Sequence, residues 1–349
     1  MMQVLCGGDR LPTVWAVASL LIMLCFAACR TPSEPVHSRD APLNLSLPAG
    51  FPAPPIPANN PLTVKKVELG RRLFFEKKLS SNGKVSCSSC HLPERAFSDT
   101  LPTSVGVSGR AGLRNAPSLT NVAYNGSYFW SGGALSLEAQ AISAIENKEE
   151  MNGQFPEIIA WLTADASYRQ LFEEAFQSPP TFLNILDAIA AFERTLISGN
   201  SRYDRFQRGD SSALNDSEKR GMQLFFSERT NCFRCHGGFN FTTNEFHDNG
   251  SQAVYRDVGR YSMTFRPSDK GKFKTPTLRN VALTAPYFHD GSMPTLADVV
   301  EHYNRGGAGS PNQSPLVRPL GLSAQEKQDL VNFLNALTDE DFIRAHQRP

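Results

Sequence analysis

Cys87-Ser88-Ser89-Cys90-His91 and Cys232-Phe233-Arg234-Cys235-His236 share the pattern C-x-x-C-H. Two thiols three residues apart on one helical turn reach the two vinyl groups of a haem, and the histidine that follows places an imidazole under the iron. A lone C-x-x-C also suits zinc or dithiol redox chemistry. Two copies, each ending in histidine, point to two covalently bound haem c groups.

The residue opposite each histidine decides between electron transfer and bond-making chemistry. The histidines are His37, His91, His236, His247, His289, His302 and His346, and none lies between His91 and His236. Met151 is the single methionine between residues 61 and 204. The first iron is therefore expected to keep an open face, fit for a small oxygen species. The second has Met263, Met293, His247, His289, His302 and Tyr303 as candidates for its sixth ligand.

The elements that must position these groups come in two copies. Leu69-Gly70-Arg71-Arg72-Leu73-Phe74-Phe75-Glu76 runs toward Cys87, and Arg220-Gly221-Met222-Gln223-Leu224-Phe225-Phe226-Ser227 runs toward Cys232. Asn215-x-x-Glu218 reads as a capping box at the start of the second helix. Pro117-Ser118-Leu119-Thr120-Asn121-Val122-Ala123 matches Pro276-Thr277-Leu278-Arg279-Asn280-Val281-Ala282, and in the same register Tyr128-Phe129-Trp130 matches Tyr287-Phe288-His289. That register sets Ala144 opposite Tyr303. Helical periods run over Glu157–Phe176, Phe182–Ser198, Leu296–Tyr303 and Ser323–Leu337. Strand signals are few. The expected fold is mainly α, two cytochrome c-like haem domains related by internal duplication at 61–204 and 205–349. Long loops, His91–Leu135 and Gly237–Lys274, would wrap the cofactors.

The 349 residues carry a net charge of +1, so there is no electrostatic case for nucleic acid or an anionic membrane. Val14–Ala28 reads as a signal-peptide core within residues 1–29, and Phe26-Ala27-Ala28-Cys29 resembles a lipobox that would lipidate Cys29. Plain cleavage and a retained anchor are the alternatives. Each places the rest of the chain outside the cytoplasm; the expectation is the periplasm, with the lipid on Cys29 as the only membrane attachment. Residues 30–60 hold eight prolines and read as an extended tether.

Taken together, the chain from about Leu62 to Leu337 resembles the bacterial di-haem cytochrome c peroxidases and their MauG-type relatives. The resemblance rests on both C-x-x-C-H motifs, Arg114-Asn115-Ala116-Pro117, Tyr128-Phe129-Trp130, Leu137-Glu138-Ala139-Gln140-Ala141, Glu150-Met151, and Thr275-Pro276-Thr277-Leu278-Arg279-Asn280 through Asp290-Gly291. It implies that His91 is the proximal ligand of the peroxidatic haem. Gln140 and Glu150 would be the distal amide and the acid–base carboxylate, and Trp130 the indole between the haems. Asn115, with backbone oxygens of Thr284 and Pro286, would hold a calcium ion. Two departures stand out. Classical members carry a capping histidine sixteen residues after the histidine of the first motif, where this chain has Val107. The second iron's methionine ligand corresponds to Tyr303, as in the MauG-type branch, with Met293 the competing cap.

The implied activity is reduction of hydrogen peroxide to water. Electrons would come from a small exported cytochrome c or cupredoxin and pass through the second haem. The alternatives are MauG-like oxidation of a tryptophan or tyrosine on a partner protein, and non-catalytic electron carriage. The resemblance also allows a homodimer.

Overall fold

The computed structural model describes residues 40–347. The signal segment, Cys29 and residues 30–39 of the expected tether lie outside the described residues. In chain order the helices are α1 (Val64–Phe74), α2 (Cys87–Cys90), α3 (Leu137–Glu146), α4 (Phe155–Ala164), α5 (Ala166–Phe176), α6 (Phe182–Glu193), α7 (Arg202–Gln207), α8 (Asp216–Phe225), α9 (Cys232–Cys235), α10 (Tyr261–Thr264), α11 (Leu296–Arg305), α12 (Ala324–Asn335) and α13 (Glu340–Ala345). Strands β1 (Phe246–His247) and β2 (Phe273–Lys274) pair antiparallel, Phe246 with Lys274 and His247 with Phe273. Among the described residues no helix is long and apolar enough to cross a membrane.

Two helix pairs carry the framework, α1 on α6 and α8 on α12, and each needs one glycine. A Cβ on Gly70 would lie 1.8 Å from the Ala188 carbonyl oxygen, and one on Gly221 would lie 1.9 Å from that of Asp329. Backbones this close leave no room for any side chain. Leu69, Leu73, Ile185 and Ile189 then bury one core, and Phe225, Leu330, Phe333 and Leu334 bury another. A third cluster joins Phe74, Phe97, Leu137 and Phe192 to Phe342 of α13, so the end of the chain packs on its first half.

The capping box at α8 forms as expected. Glu218 N donates to Asn215 Oδ1 and Asn215 N to Glu218 Oε2, both at 2.9 Å. The single period expected over Glu157–Phe176 is two helices instead. Asp165 ends α4 and caps α5, accepting from Ser167 N and Tyr168 N. The chain leaves the helix at one residue, yet both helices bury residues in one core, so the apolar pattern runs through the break. The boundary expected between 204 and 205 falls inside α7.

Residues 40–60 contain no helix, as their prolines dictate, but they do not hang free. Leu43 N donates to Leu62 O at 3.0 Å, and Tyr124 Oη donates to Pro52 O at 2.9 Å. The Phe51 ring lies 4.7 Å from Phe239, with the Arg279 guanidinium also 4.7 Å from its centroid. A phenylalanine in a proline-rich stretch turns the expected tether into a packed strap, because burying it outweighs the small entropy a Pro-rich chain has left to lose.

Candidate active site

The two C-x-x-C-H segments have the same local build. Cys87–Cys90 and Cys232–Cys235 each form one helical turn, and the backbone N–H groups of His91 and His236 close it on Cys87 O and Cys232 O, both at 2.9 Å. His91 Nδ1 lies 2.8 Å from Phe97 O, and His236 Nδ1 lies 3.1 Å from Phe241 O. Each ring is thereby fixed with Nε2 left over. Burial lowers the pKa of both imidazoles, that of His236 to about 4, so both are neutral donors. The four thiols are unbridged, and burial raises the pKa of each.

These groups border one cavity of about 1450 Å³, lined by Cys90, His91, Cys232, Cys235 and His236 among others. That exceeds the ~300–1,000 Å³ of a typical single-ligand pocket. Its walls differ around the two histidines. Near the first, Gln140 and Ser143 of α3 and Asn147 at its C-terminus line the cavity with Glu150. Near the second, the lining includes Leu296, Val299, Val300 and Tyr303 of α11 with Leu320 and Leu322.

Glu150 is held at three points. Its N–H donates to Asn147 O at 2.9 Å, its carbonyl accepts from Val107 N at 2.8 Å, and Asn147 Nδ2 donates to its Oε1 at 2.7 Å. Desolvation raises its pKa against the opposing effect of the Asn147 amide, although the residue is exposed. Its neighbour Glu149 pairs instead with Arg110. Both carboxylates border the cavity, Glu149 held by Arg110 and Glu150 by Asn147. The Val107 loop is docked on the same segment: a Cβ on Gly106 would lie 1.9 Å from Glu149 O.

Trp130 lines the cavity and its Nε1 donates to Asn115 O at 2.8 Å. Asn115, Thr284 and Pro286 share that wall. The Asn115 Nδ2 donates to Leu101 O and Pro102 O, both at 3.2 Å, leaving Oδ1 as its free donor atom for a cation. The Thr284 hydroxyl is turned to Val281 O, leaving its own carbonyl.

Among the candidates for the second cap, Tyr303, Met263, His247 and His289 line the cavity, whereas Met293 and His302 are not among the lining residues. Met293 exchanges backbone hydrogen bonds with Tyr287, and His302 Nε2 lies 2.9 Å from Asn249 O. Burial pushes the Tyr303 hydroxyl up to about 12, opposed by a 3.4 Å hydrogen bond from Asn249 Nδ2. Ala144, set opposite Tyr303 by the repeat, is not a lining residue; Ser143 is. The residue that sequence reasoning missed is Asn147. Its signal was present, an asparagine ending a helix three residues before a carboxylate.

The model of the di-haem cytochrome c peroxidase family matches residues 64–212, and that of RoxA-like, cytochrome c-like proteins matches 272–307. A cytochrome-c peroxidase of Pseudomonas sp. (strain SCT) is 36% identical over 95% of this chain and 93% of its own. The chain belongs to the di-haem cytochrome c peroxidase and MauG family. The methylamine utilization protein MauG of Methylorubrum extorquens is 40% identical over 82% of each chain. The crystal structure of a MauG-like protein associated with microbial copper homeostasis superposes with a TM-score of 0.82, at 38% identity, over 86% of this chain and 97% of that one. Membership of a di-haem family implies two c-type haems, and the residues fit them. Three of the four unbridged thiols, Cys90, Cys232 and Cys235, and two anchored, neutral imidazoles border one cavity, and Cys87 lies one helical turn from Cys90.

Proposed function

We propose that this family member reduces hydrogen peroxide to water at the first haem, held by Cys87, Cys90 and His91. The supporting observation is the polar wall around that site, where Glu150 is fixed by Asn147 and the Val107 loop offers no imidazole. The bound haems supply the peroxide-binding iron and the electrons. Glu150 takes the proton from one peroxide oxygen and delivers it to the other, which leaves as water. Asn147 occupies Oε1, so Oε2 is the atom that exchanges the proton. A carboxylate with a raised pKa suits both halves of that transfer. Gln140 orients the peroxide. Two electrons and two protons complete the reduction; a small cytochrome c or cupredoxin would supply the electrons, which the haem held by Cys232, Cys235 and His236 would relay, with Trp130 between the two sites.

The halves 61–204 and 205–349 are read as copies of one unit. Asn115 Oδ1 and the carbonyls of Thr284 and Pro286 are read as calcium donors, hard oxygens of the kind that ion takes. The chain is read as periplasmic, tethered by lipid at Cys29, and able to pair with a second copy.

A second reading has its own support in Tyr303 on the cavity wall. A phenolate on the second iron would favour oxidised states and allow the enzyme to draw electrons from a tryptophan or tyrosine of a partner protein. The test is stopped-flow mixing of the ferric enzyme with hydrogen peroxide. Reaction without prior reduction is expected. A reaction that waits for one added electron would show a sixth ligand on the first iron and remove the basis of the proposal.

A further inference from the structure

Two backbone hydrogen bonds join the halves across the seam between the histidine sites, and they are one bond made twice. Asn115 N donates to His289 O at 2.7 Å, and Lys274 N donates to Trp130 O at 2.8 Å. In the register that sets Pro117 on Pro276, Asn115 stands opposite Lys274 and Trp130 opposite His289. The side chains at this matched pair differ in charge. The Asn115 amide is neutral and its N–H groups reach two carbonyls. Lys274 is a cation on the cavity wall.

Among the described residues the Lys274 ammonium has no hydrogen bond or ion pair. The basic groups near it are engaged. Arg114 makes a forked pair with Asp257 at 2.7 and 2.9 Å, Lys272 reaches Asp269 at 3.4 Å, and Arg260 donates to Ser131 O at 3.2 Å. Burial alone brings the Lys274 pKa down to about 8. An unpaired cation in such surroundings costs several kcal/mol, which an anion delivered to the cavity offsets. A haem delivers two propionate carboxylates.

We propose that Lys274 is the fixed counter-cation of a propionate on the second haem, the one held by Cys232, Cys235 and His236. The backbone connects it to that haem. Thr275 N donates to Glu245 O at 2.8 Å, Thr242 Oγ1 to Thr275 O at 2.6 Å, and Thr243 N to Cys235 O at 2.9 Å. The strand carrying Lys274 is therefore stitched to the loop that leaves the second C-x-x-C-H turn. A positive charge there favours the ferrous over the ferric haem, and the bond to Trp130 O ties the lysine's backbone to the seam between the halves. The inference rests on the two haems that family membership implies, and not on the peroxidase reading.

The test is a spectroelectrochemical titration of the holoprotein as wild type, Lys274→Met, Lys274→Gln and Lys274→Arg. In the two neutral variants the ferric-to-ferrous ratio of the second haem at a fixed applied potential should rise about tenfold, equivalent to ~59 mV for one electron. Arginine should stay within about threefold of wild type. An unchanged second-haem midpoint in the neutral variants overturns the proposal. So does an equal fall with arginine, or a shift confined to the first haem. If the methionine variant fails to mature with both haems, the glutamine and arginine pair gives the same answer. Failure of ferric enzyme to react with peroxide would leave this result standing, so the two readings fail separately.

Discussion

The walls beside His91 and His236 are built on one backbone plan and carry opposite chemistry. Before each wall an isolated bridge forms, Tyr128 with Ala134 and Tyr287 with Met293, around a phenylalanine in the left-handed region, Phe129 at φ 63° and Phe288 at φ 71°. Ser136 then caps α3 and Thr295 caps α11. From that point the two helices diverge. α3 turns Gln140 and Ser143 to the cavity, and α11 turns Val299, Val300 and Tyr303. Caps, bridges and strained turns fix where the helix goes. A few positions on one face then decide whether a proton can move there. A helix face with an amide and a hydroxyl beside a held carboxylate suits acid–base work, whereas a face of two valines and a phenol does not.

The largest expected effect breaks the polar wall. Glu150→Gln keeps the shape and removes the proton carrier, so peroxide should still bind while turnover falls by about two orders of magnitude or more. Steady-state turnover with a reduced cytochrome donor measures it. A variant with near-normal turnover would make the two walls equivalent in function and end the comparison.

Next, the framework beneath both walls can be tested for equivalence. Gly70→Ala and Gly221→Ala each force a Cβ into a carbonyl oxygen at under 2 Å. Each should cost about 1–3 kcal/mol, the usual range for overpacking. Thermal unfolding of the holoprotein would show it. A cost at one glycine and none at the other would mean that α1–α6 and α8–α12 do not bear comparable loads.

Conversion of the apolar wall is a smaller change. If Tyr303 ligates the second iron, Tyr303→Met exchanges a hard anionic oxygen for a soft neutral sulfur. The second haem's reduction potential should rise, and the near-infrared band of a His/Met haem should appear. A wild type that already shows this band would make Met263 the ligand to examine, since it lines the cavity.

Much of this was readable beforehand, for a physical reason. Covalent haem attachment needs a fixed local spacing, so Cys87–His91 and Cys232–His236 announce themselves. The capping box of Asn215 and Glu218 is local too, and it formed. What escaped depends on tertiary contacts. The pinning of Glu150 needs Val107, which is far from it in sequence, and the strap around Phe51 needs Phe239 and Arg279. Lys274 reads as an ordinary exposed lysine until β2 places it on the cavity wall.

The smallest expected effect is a difference in slope, and it concerns a residue behind the first wall. In the register that sets Phe192 on Phe333, Glu193 stands opposite Leu334. Glu193 is 4% exposed, and its Oε2 has no hydrogen-bond partner among the described residues. Burial raises its pKa to about 8, opposed by the charge of Arg194. The folded protein therefore keeps this proton across a window in which the unfolded chain, with a pKa of about 4.5, releases it. Native protein binds the extra proton, so stability falls as pH rises from about 4.5 toward about 8, by at most ~1.4 kcal/mol per pH unit. Below that window both states are protonated and the contribution is constant. Glu193→Gln keeps the shape and has no proton to lose, so its melting temperature should decline less between pH 5 and 7.5 than that of wild type. Parallel curves for the two proteins would show that the carboxylate is ionised in the native state, solvated or paired. The first half would then carry a charge where its counterpart has a leucine.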